Sequence, residues 1–117
     1  MFTLRTPTGS PFQYKRHPDG EIIVYSSRDG ELQNESAIVI TPFTINLVKQ
    51  AIKDSKEIRM GASRDKPPAG SLGALLKDKK QSPQQLSYLI PILKEEGFCY
   101  WVKDGQAVIV RYKGATH

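Results

Sequence analysis

The segment from Phe98 to Tyr112 constrains the fold of this chain more than any other. Two runs rich in aromatic and β-branched residues lie on either side of Asp104-Gly105. Such runs favour β-strands, and a two-residue Asp-Gly link favours a type I′ turn, whose twist suits paired strands. The sequence therefore predicts a C-terminal β-hairpin formed by Phe98–Lys103 and Gln106–Tyr112.

Pairing about this turn decides which side chains of the hairpin face each other. It places Trp101 opposite Val108 and Tyr100 opposite Ile109. Both faces of the hairpin are then largely apolar, so each face needs a covering layer. We expect the helices to cover one face, and the N-terminal strands or a second copy of the chain to cover the other.

The first helix start lies in the middle of the chain. Thr41-Pro42 combines a hydroxyl N-cap with proline at the first helical position, and predicts a helix that ends near Lys56. A short strand is expected within Glu57–Ala62, where apolar and polar residues alternate. Gly61–Gly70 contains two prolines and two glycines. This composition cannot sustain a helix and predicts a surface loop.

Two further helix starts follow the loop. Ser71 is the N-cap of a second helix, which ends around the basic run Lys77–Lys80. Ser82-Pro83-Gln84-Gln85 has the pattern of a capping box and begins a third helix, which Gly97 ends. The apolar face of this third helix consists of Leu86, Leu89, Ile90 and Leu93. Pro91 lies inside the helix, and we expect a kink there.

The first forty residues are expected to form strands and turns. Phe12–Arg16 and Glu21–Ser26 predict a hairpin around the turn His17–Gly20. The remaining segments are a short strand over Phe2–Leu4, a loop over Ser27–Ser36, and either a strand or a helix entry over Ala37–Ile40. An N-terminal layer of β-strands follows from this pattern.

The order helix, short strand, helix, turn, helix and hairpin resembles the winged helix-turn-helix superfamily of DNA-binding domains. The resemblance is strongest over Ser71–Leu76, Ser82–Leu89 and Leu93–Phe98. It implies an α+β fold: a small N-terminal β-hairpin layer packed on a C-terminal winged helix-turn-helix, with three helices and a β-hairpin wing. The boundary is expected between a β-strand subdomain at residues 1–40 and the winged helix at residues 41–117. The N-terminal strands and Pro91 depart from the usual pattern of the superfamily.

The positive charge is concentrated in the C-terminal half of the chain. The net charge is +5, and residues 61–117 hold 9 Lys/Arg against 5 Asp/Glu, whereas residues 1–60 hold 8 against 7. A basic balance in one half of a protein favours an anionic partner. The positive charge of this half is therefore of the sign that a DNA-binding domain needs.

The resemblance implies that the third helix enters the major groove of double-stranded DNA, which admits one α-helix. Outward residues at the start of that helix would reach base edges, and lysines before it and on the wing would contact phosphates. The residues expected to contact DNA are Lys77, Lys79, Lys80, Ser82, Gln84, Gln85, Ser87, Tyr88, Lys103 and Arg111. The implied function is that of a small non-enzymatic DNA-binding protein, such as a transcriptional regulator or a mobile-element accessory protein. A homodimer would suit paired half-sites.

A second function stays open at this point. Winged helices also serve as protein-protein interaction modules, because a fold does not determine a function. A module or dimeric structural subunit of this kind would bind no nucleic acid. It predicts that a partner covers the outward face of the third helix.

Other classes of function are not indicated by the sequence. Neither His17 nor His117 has a carboxylate or nucleophile at a recognisable spacing, so we expect no catalytic residues. Cys99 is the only cysteine and is expected to be a buried apolar residue, so we expect no metal site and no cofactor. The chain has no signal-peptide pattern and no apolar stretch long enough for a membrane. We therefore expect a cytoplasmic protein without a small-molecule substrate.

Overall fold

The part of the chain that the structure describes has a mixed α+β fold with three α-helices and two antiparallel sheets. The computed structural model describes residues 2–7, 9–28, 31–32, 38–62, 66–105 and 107–113. The strands are β1 (Phe2–Arg5), β2 (Pro11–Arg16), β3 (Ile22–Arg28), β4 (Glu31–Leu32), β5 (Ile38–Ile40), β6 (Glu57–Arg59), β7 (Cys99–Asp104) and β8 (Ala107–Tyr112). The helices are α1 (Pro42–Ser55), α2 (Leu72–Asp78) and α3 (Leu86–Glu95). None of the described helices is both long and apolar enough to cross a membrane.

The N-terminal sheet has the strand order β1-β2-β3-β4, and β5 pairs with β3 as well. The predicted hairpin of β2 and β3 is confirmed, and its buried pair Tyr14 and Val24 faces the core. Its turn has a hydrogen bond of 3.0 Å from the Gly20 N–H to the His17 carbonyl. Gly20 has a φ of 95°, which glycine adopts without steric strain. The open choice between strand and helix entry before α1 is resolved as the strand β5.

The loop predicted over Ser27–Ser36 is wrong for the residues that the structure describes there. Strand β3 continues through Arg28, and Glu31–Leu32 forms β4 against it. Residues 29–30 and 33–36 lie outside the described residues. Polar composition suggested a loop, but backbone pairing between neighbouring strands does not require apolar side chains.

Side-chain caps begin the first two helices at the predicted residues. The Thr41 hydroxyl accepts a hydrogen bond of 3.3 Å from the Thr44 N–H at the start of α1. The Ser71 hydroxyl accepts one of 3.1 Å from the Ala74 N–H at the start of α2. Each hydroxyl satisfies a backbone donor that the helix itself cannot pair. The predicted end of α1 near Lys56 is also confirmed.

The capping box predicted for α3 does not form. Pro83–Gln85 is a 3-10 turn, and α3 begins only at Leu86. The Gln85 N–H, which the Ser82 hydroxyl was expected to bind, donates instead to the Ser82 carbonyl at 3.3 Å. The tighter 3-10 turn therefore satisfies with backbone the donor that a capping hydroxyl would have served. The predicted stop at Gly97 is confirmed by its φ of 79°.

The second sheet has the order β6-β8-β7, so β8 is its central strand. The C-terminal hairpin is confirmed, but its predicted register is wrong by two residues. The observed pairs are Trp101 with Val110, Tyr100 with Arg111, and Asp104 with Ala107. The turn therefore lies between Asp104 and Ala107, one position later than predicted. A shift of two residues keeps every side chain on its predicted face, since the strand period is two.

A close backbone contact positions α2 beside the second sheet. The Gly73 N–H donates to the Met60 carbonyl, and the Met60 N–H donates to the Val108 carbonyl, both at 2.9 Å. A Cβ atom at Gly73 would lie 1.6 Å from the Gly61 carbonyl oxygen. Only glycine fits at this position, because any side chain would displace α2 from Gly61.

Residues from both halves of the chain form one buried apolar cluster. The members from α3 are Leu86, Leu89, Ile90, Ile92 and Leu93. Phe12 of β2 is 1% exposed, and its ring meets the Tyr88 ring edge-on with 5.2 Å between centroids. The N-terminal sheet therefore packs against α3 as an additional layer. α3 continues as an α-helix through the buried Pro91.

Candidate nucleic-acid interface

The connection between α2 and α3 is held by backbone hydrogen bonds. The Lys79 N–H donates to the carbonyls of Leu75 and Leu76, and the Gln81 N–H donates to the Leu76 carbonyl at 2.8 Å. Lys80 takes a left-handed φ of 60°. This conformation is uncommon for a residue with a side chain and turns the chain sharply after α2. The basic end of α2 is therefore followed by a tight turn and by the 3-10 turn that leads into α3.

Five of the residues expected to contact DNA are exposed in this connection. They are Lys77, Lys79, Lys80, Ser82 and Gln84, and we call them the turn surface. Asp78 is the one acidic residue within the segment 77–84. The turn surface therefore combines three cationic side chains with two side chains that can donate and accept hydrogen bonds.

Two residues expected to read bases are unsuitable for that role. Gln85 is 8% exposed, so its amide cannot reach a base edge without a change in the fold. Tyr88 is partly buried, and its ring packs against Phe12. Both predictions assumed that positions outside the apolar face of α3 point to solvent, whereas Phe12 of the N-terminal sheet packs on Tyr88 and Gln85 is buried. Ser87 is partly buried as well.

Lys103 and Arg111 lie on opposite faces of the second sheet. Lys103 shares the face of Trp101, which packs toward the core, and lies at the exposed end of β7. Arg111 pairs with Tyr100 on the other face, and its Nε lies 3.7 Å from a carboxylate oxygen of Glu57. The structure therefore does not bring these two cations together, although both belong to the hairpin predicted as the wing.

The histidine and cysteine that sequence analysis set aside lie far apart in the chain and in separate elements. His17 is partly buried in the turn between β2 and β3, and its Nε2 has no hydrogen-bond partner among the described residues. Cys99 is fully buried, as predicted. Burial raises the pKa of the Cys99 thiol to about 12, and the nearby Lys94 opposes this only in part. Within the described ranges, no group of three His, Cys, Asp or Glu residues could hold a metal ion.

A second polar surface, which the sequence did not identify as a site, lies on the outer side of α1. A groove of about 290 Å³ there is lined by Asn46, Lys49, Gln50, Lys53 and Phe98, and we call it the α1 groove. Helical periodicity places the polar residues of α1 outward. It gives no sign that Phe98, which follows α3, lies beside them. Only the tertiary structure brings the aromatic ring to the lysines.

The chain matches no protein-family model, no curated protein and no solved structure. A function can therefore be argued only from the geometry and chemistry of the described residues.

Proposed function

We propose that this protein binds double-stranded DNA through the turn surface. The observation that supports this most is the exposure of Lys77, Lys79 and Lys80 directly before the exposed Ser82 and Gln84. Lysine ammonium groups neutralise phosphates, and the adjoining amide and hydroxyl groups can reach base edges or backbone oxygens. A role as a transcriptional regulator or a mobile-element accessory protein stays a prediction.

The covering of α3 restricts how such a complex can form. A recognition helix that lies along the major groove must present a continuous exposed side. In this chain Phe12 packs on Tyr88, and Gln85 is buried. We therefore propose that DNA meets the start of α3 end-on, so that Gln84 and not Gln85 enters the groove. The three lysines then contact the phosphates of one flanking strand.

Fluorescence anisotropy of a labelled mixed-sequence duplex, titrated at several salt concentrations, tests this proposal. Each phosphate contact adds about −0.9 to the slope of log K against log salt. The double variant Lys79→Ala/Lys80→Ala should therefore reduce the magnitude of the slope by about 1.8 and weaken binding to every duplex alike. The matched control Lys49→Ala/Lys53→Ala removes the same charge on α1. An equal loss in both variants, or no binding by the wild type at low salt, contradicts the proposal.

Gln84 gives a separate test of base reading. If its amide makes a bidentate contact, Gln84→Ala should cost about 1–3 kcal/mol on a preferred site and relax the sequence preference there. Site selection with the wild type and the variant measures this change. Equal weakening on all sequences would assign Gln84 to the phosphate backbone instead.

A protein-interaction module is the second candidate function, and the outer face of the second sheet favours it. Tyr100, Val102 and Ile109 share that face and are each only partly covered. They are absent from the set of side chains that pack against the core, whereas Trp101 and Val108 on the other face belong to it. Sedimentation velocity of the wild type and of Val102→Lys tests self-association through this face. A wild-type dimer that the variant dissociates, together with no DNA binding, would favour this second function.

A further inference from the structure

The α1 groove combines two lysines with one partly buried aromatic ring, that of Phe98. The Lys49 Nζ lies 4.9 Å from the centroid of the Phe98 ring, and the Lys56 Nζ lies 5.2 Å from that of Tyr112. The two rings are neighbours, with 5.3 Å between their centroids. Phe98 lines the groove and is partly exposed, and the Lys49 ammonium lies over its ring. A base can stack on that face when the Lys49 ammonium moves from the ring to a phosphate.

The other side chains of the groove are polar. Lys53 is exposed beside Asn46 and Gln50, and the Gln50 Nε2 donates a hydrogen bond of 2.9 Å to Asp54. The lining of the α1 groove therefore consists of two amides, two lysines and one ring. The lysines can neutralise phosphates, the amides can meet a base edge, and the ring and the side-chain methylenes offer apolar surface to a planar base. These groups together match a nucleotide.

The α1 groove is separate from the turn surface. The Thr44 hydroxyl donates to Gln81 at 3.4 Å, which places the buried side of α1 at the connection between α2 and α3. Lys53 follows Thr44 by nine residues, which corresponds to about 13 Å along the axis and about half a turn around it. Lys53 therefore points away from that connection, and the two surfaces face different directions.

We propose that the α1 groove binds single-stranded nucleic acid, with one base stacked on Phe98 and the adjoining phosphates on Lys49 and Lys53. Stacking on an aromatic side chain is available to every base, so the site is tolerant of sequence. Asn46 and the side-chain carbonyl oxygen of Gln50 can meet the base edge. This proposal does not depend on duplex binding by the turn surface, since the two sites share no residue.

Anisotropy of a fluorescein-labelled thymidine decamer at low salt tests the proposal. We expect Lys49→Ala/Lys53→Ala to weaken binding about tenfold or more and to reduce the magnitude of the salt slope by about 1.4, because single strands contribute about −0.7 for each phosphate contact. The matched control Lys15→Ala/Arg59→Ala, which removes two exposed cations outside both surfaces, should bind the decamer within about twofold of the wild type. Equal weakening by the two variants, or no binding of the decamer by the wild type, overturns the proposal.

The stacking contact has its own test. A decamer carrying 5-iododeoxyuridine should crosslink to Phe98 under ultraviolet light, and mass spectrometry of the digested complex identifies the residue. Phe98→Leu should abolish this crosslink and weaken binding of the decamer about tenfold, because stacking of one base contributes roughly that factor or more to the affinity. A thermal melting curve of the Phe98→Leu protein first shows whether the variant is folded. Crosslinks outside the α1 groove, or equal binding of an abasic decamer, contradict the stacked base.

Measuring both lysine double variants with both the duplex and the decamer distinguishes a failure of this proposal from a failure of the proposed function. Loss of duplex binding only in Lys79→Ala/Lys80→Ala and loss of decamer binding only in Lys49→Ala/Lys53→Ala supports both sites. Duplex binding without decamer binding overturns the α1 groove alone. Decamer binding without duplex binding overturns the turn surface alone.

Discussion

Helices α1 and α3 are both amphipathic in sequence, yet the fold covers them to different extents. The buried residues of α1 are Thr44, Ile45, Val48 and Ile52, along one side of a 14-residue helix. Those of α3 are Leu86, Leu89, Ile90, Pro91, Ile92 and Leu93, six of its 10 residues. α1 therefore keeps a polar side in solvent, whereas α3 is enclosed from two directions.

This difference shows what helical periodicity can and cannot identify. The spacing of apolar residues finds the face that a helix turns toward its nearest neighbours. It does not find a second layer contributed by a distant part of the chain, which here is Phe12 of β2 against Tyr88. A helix that resembles a recognition helix in sequence can therefore be accessible only at its end.

The largest expected effect concerns the chemical reactivity of Cys99, which tests whether the buried side of α3 is closed to solvent. Cys99 is fully buried at the start of β7, directly after α3, and burial raises its thiol pKa to about 12. Because the thiolate is the reactive form, alkylation at pH 8 should be slower than in the unfolded chain by about a thousandfold or more. Iodoacetamide labelling with and without denaturant, followed by mass spectrometry, measures the ratio.

The same group makes the stability of the fold depend on pH. The folded-state pKa of the Cys99 thiol lies above its unfolded value. The contribution of the neutral thiol to the free energy of unfolding is therefore complete below the unfolded pKa of about 8.5. That contribution should be lost as the pH rises from about 9 toward 12. Cys99→Ala should remove this part of the alkaline loss. Fast labelling in native protein would show that α3 is not enclosed on this side.

Replacing a buried side chain of α3 by alanine should lower the free energy of unfolding far more than replacing a side chain on the outer side of α1. Ile92 is fully buried, so Ile92→Ala should lower the free energy of unfolding by about 2–5 kcal/mol. Lys53→Ala on α1 should change it by no more than about 0.5 kcal/mol. Urea unfolding of both variants gives the comparison. A change below 1 kcal/mol for Ile92→Ala would contradict the enclosure of α3.

Substitutions at the starts of the two helices should change the free energy of unfolding by smaller and unequal amounts. Thr41 caps α1 through its hydroxyl, so Thr41→Ala should cost about 1 kcal/mol. The Ser82 hydroxyl makes no cap hydrogen bond, so Ser82→Ala should cost less than about 0.5 kcal/mol. Thermal unfolding of the two variants measures the difference. Equal costs would indicate that the capping box forms in solution.

Local signals in the sequence were sufficient for most of the elements. The caps at Thr41 and Ser71 and the stop at Gly97 depend on neighbouring residues, and the structure confirms all three. The predicted register of the C-terminal hairpin was wrong because the turn lies one position later than Asp104-Gly105, between the paired residues Asp104 and Ala107. Strand propensity alone cannot choose between these two turn positions.

The candidate site was less predictable, because its exposure depends on distant parts of the chain. Gln85 and Tyr88 lie off the apolar face of α3, and the sequence analysis therefore placed them outward. One signal of the enclosure was present in the sequence: Ile90–Leu93 is a run of four apolar residues, which covers more than one side of a helix. The neighbourhood of Phe98 and Lys49 had no comparable signal.

Amide chemical shifts of the ¹⁵N-labelled protein, recorded during titration with a short duplex, test most directly whether DNA meets the start of α3 rather than its length. We expect the shifts to concentrate between Lys77 and Gln84, with the amides from Tyr88 to Leu93 unchanged. Large shifts over Tyr88–Leu93 and in Phe12 would show instead that the N-terminal sheet leaves α3 and that the whole helix enters the groove.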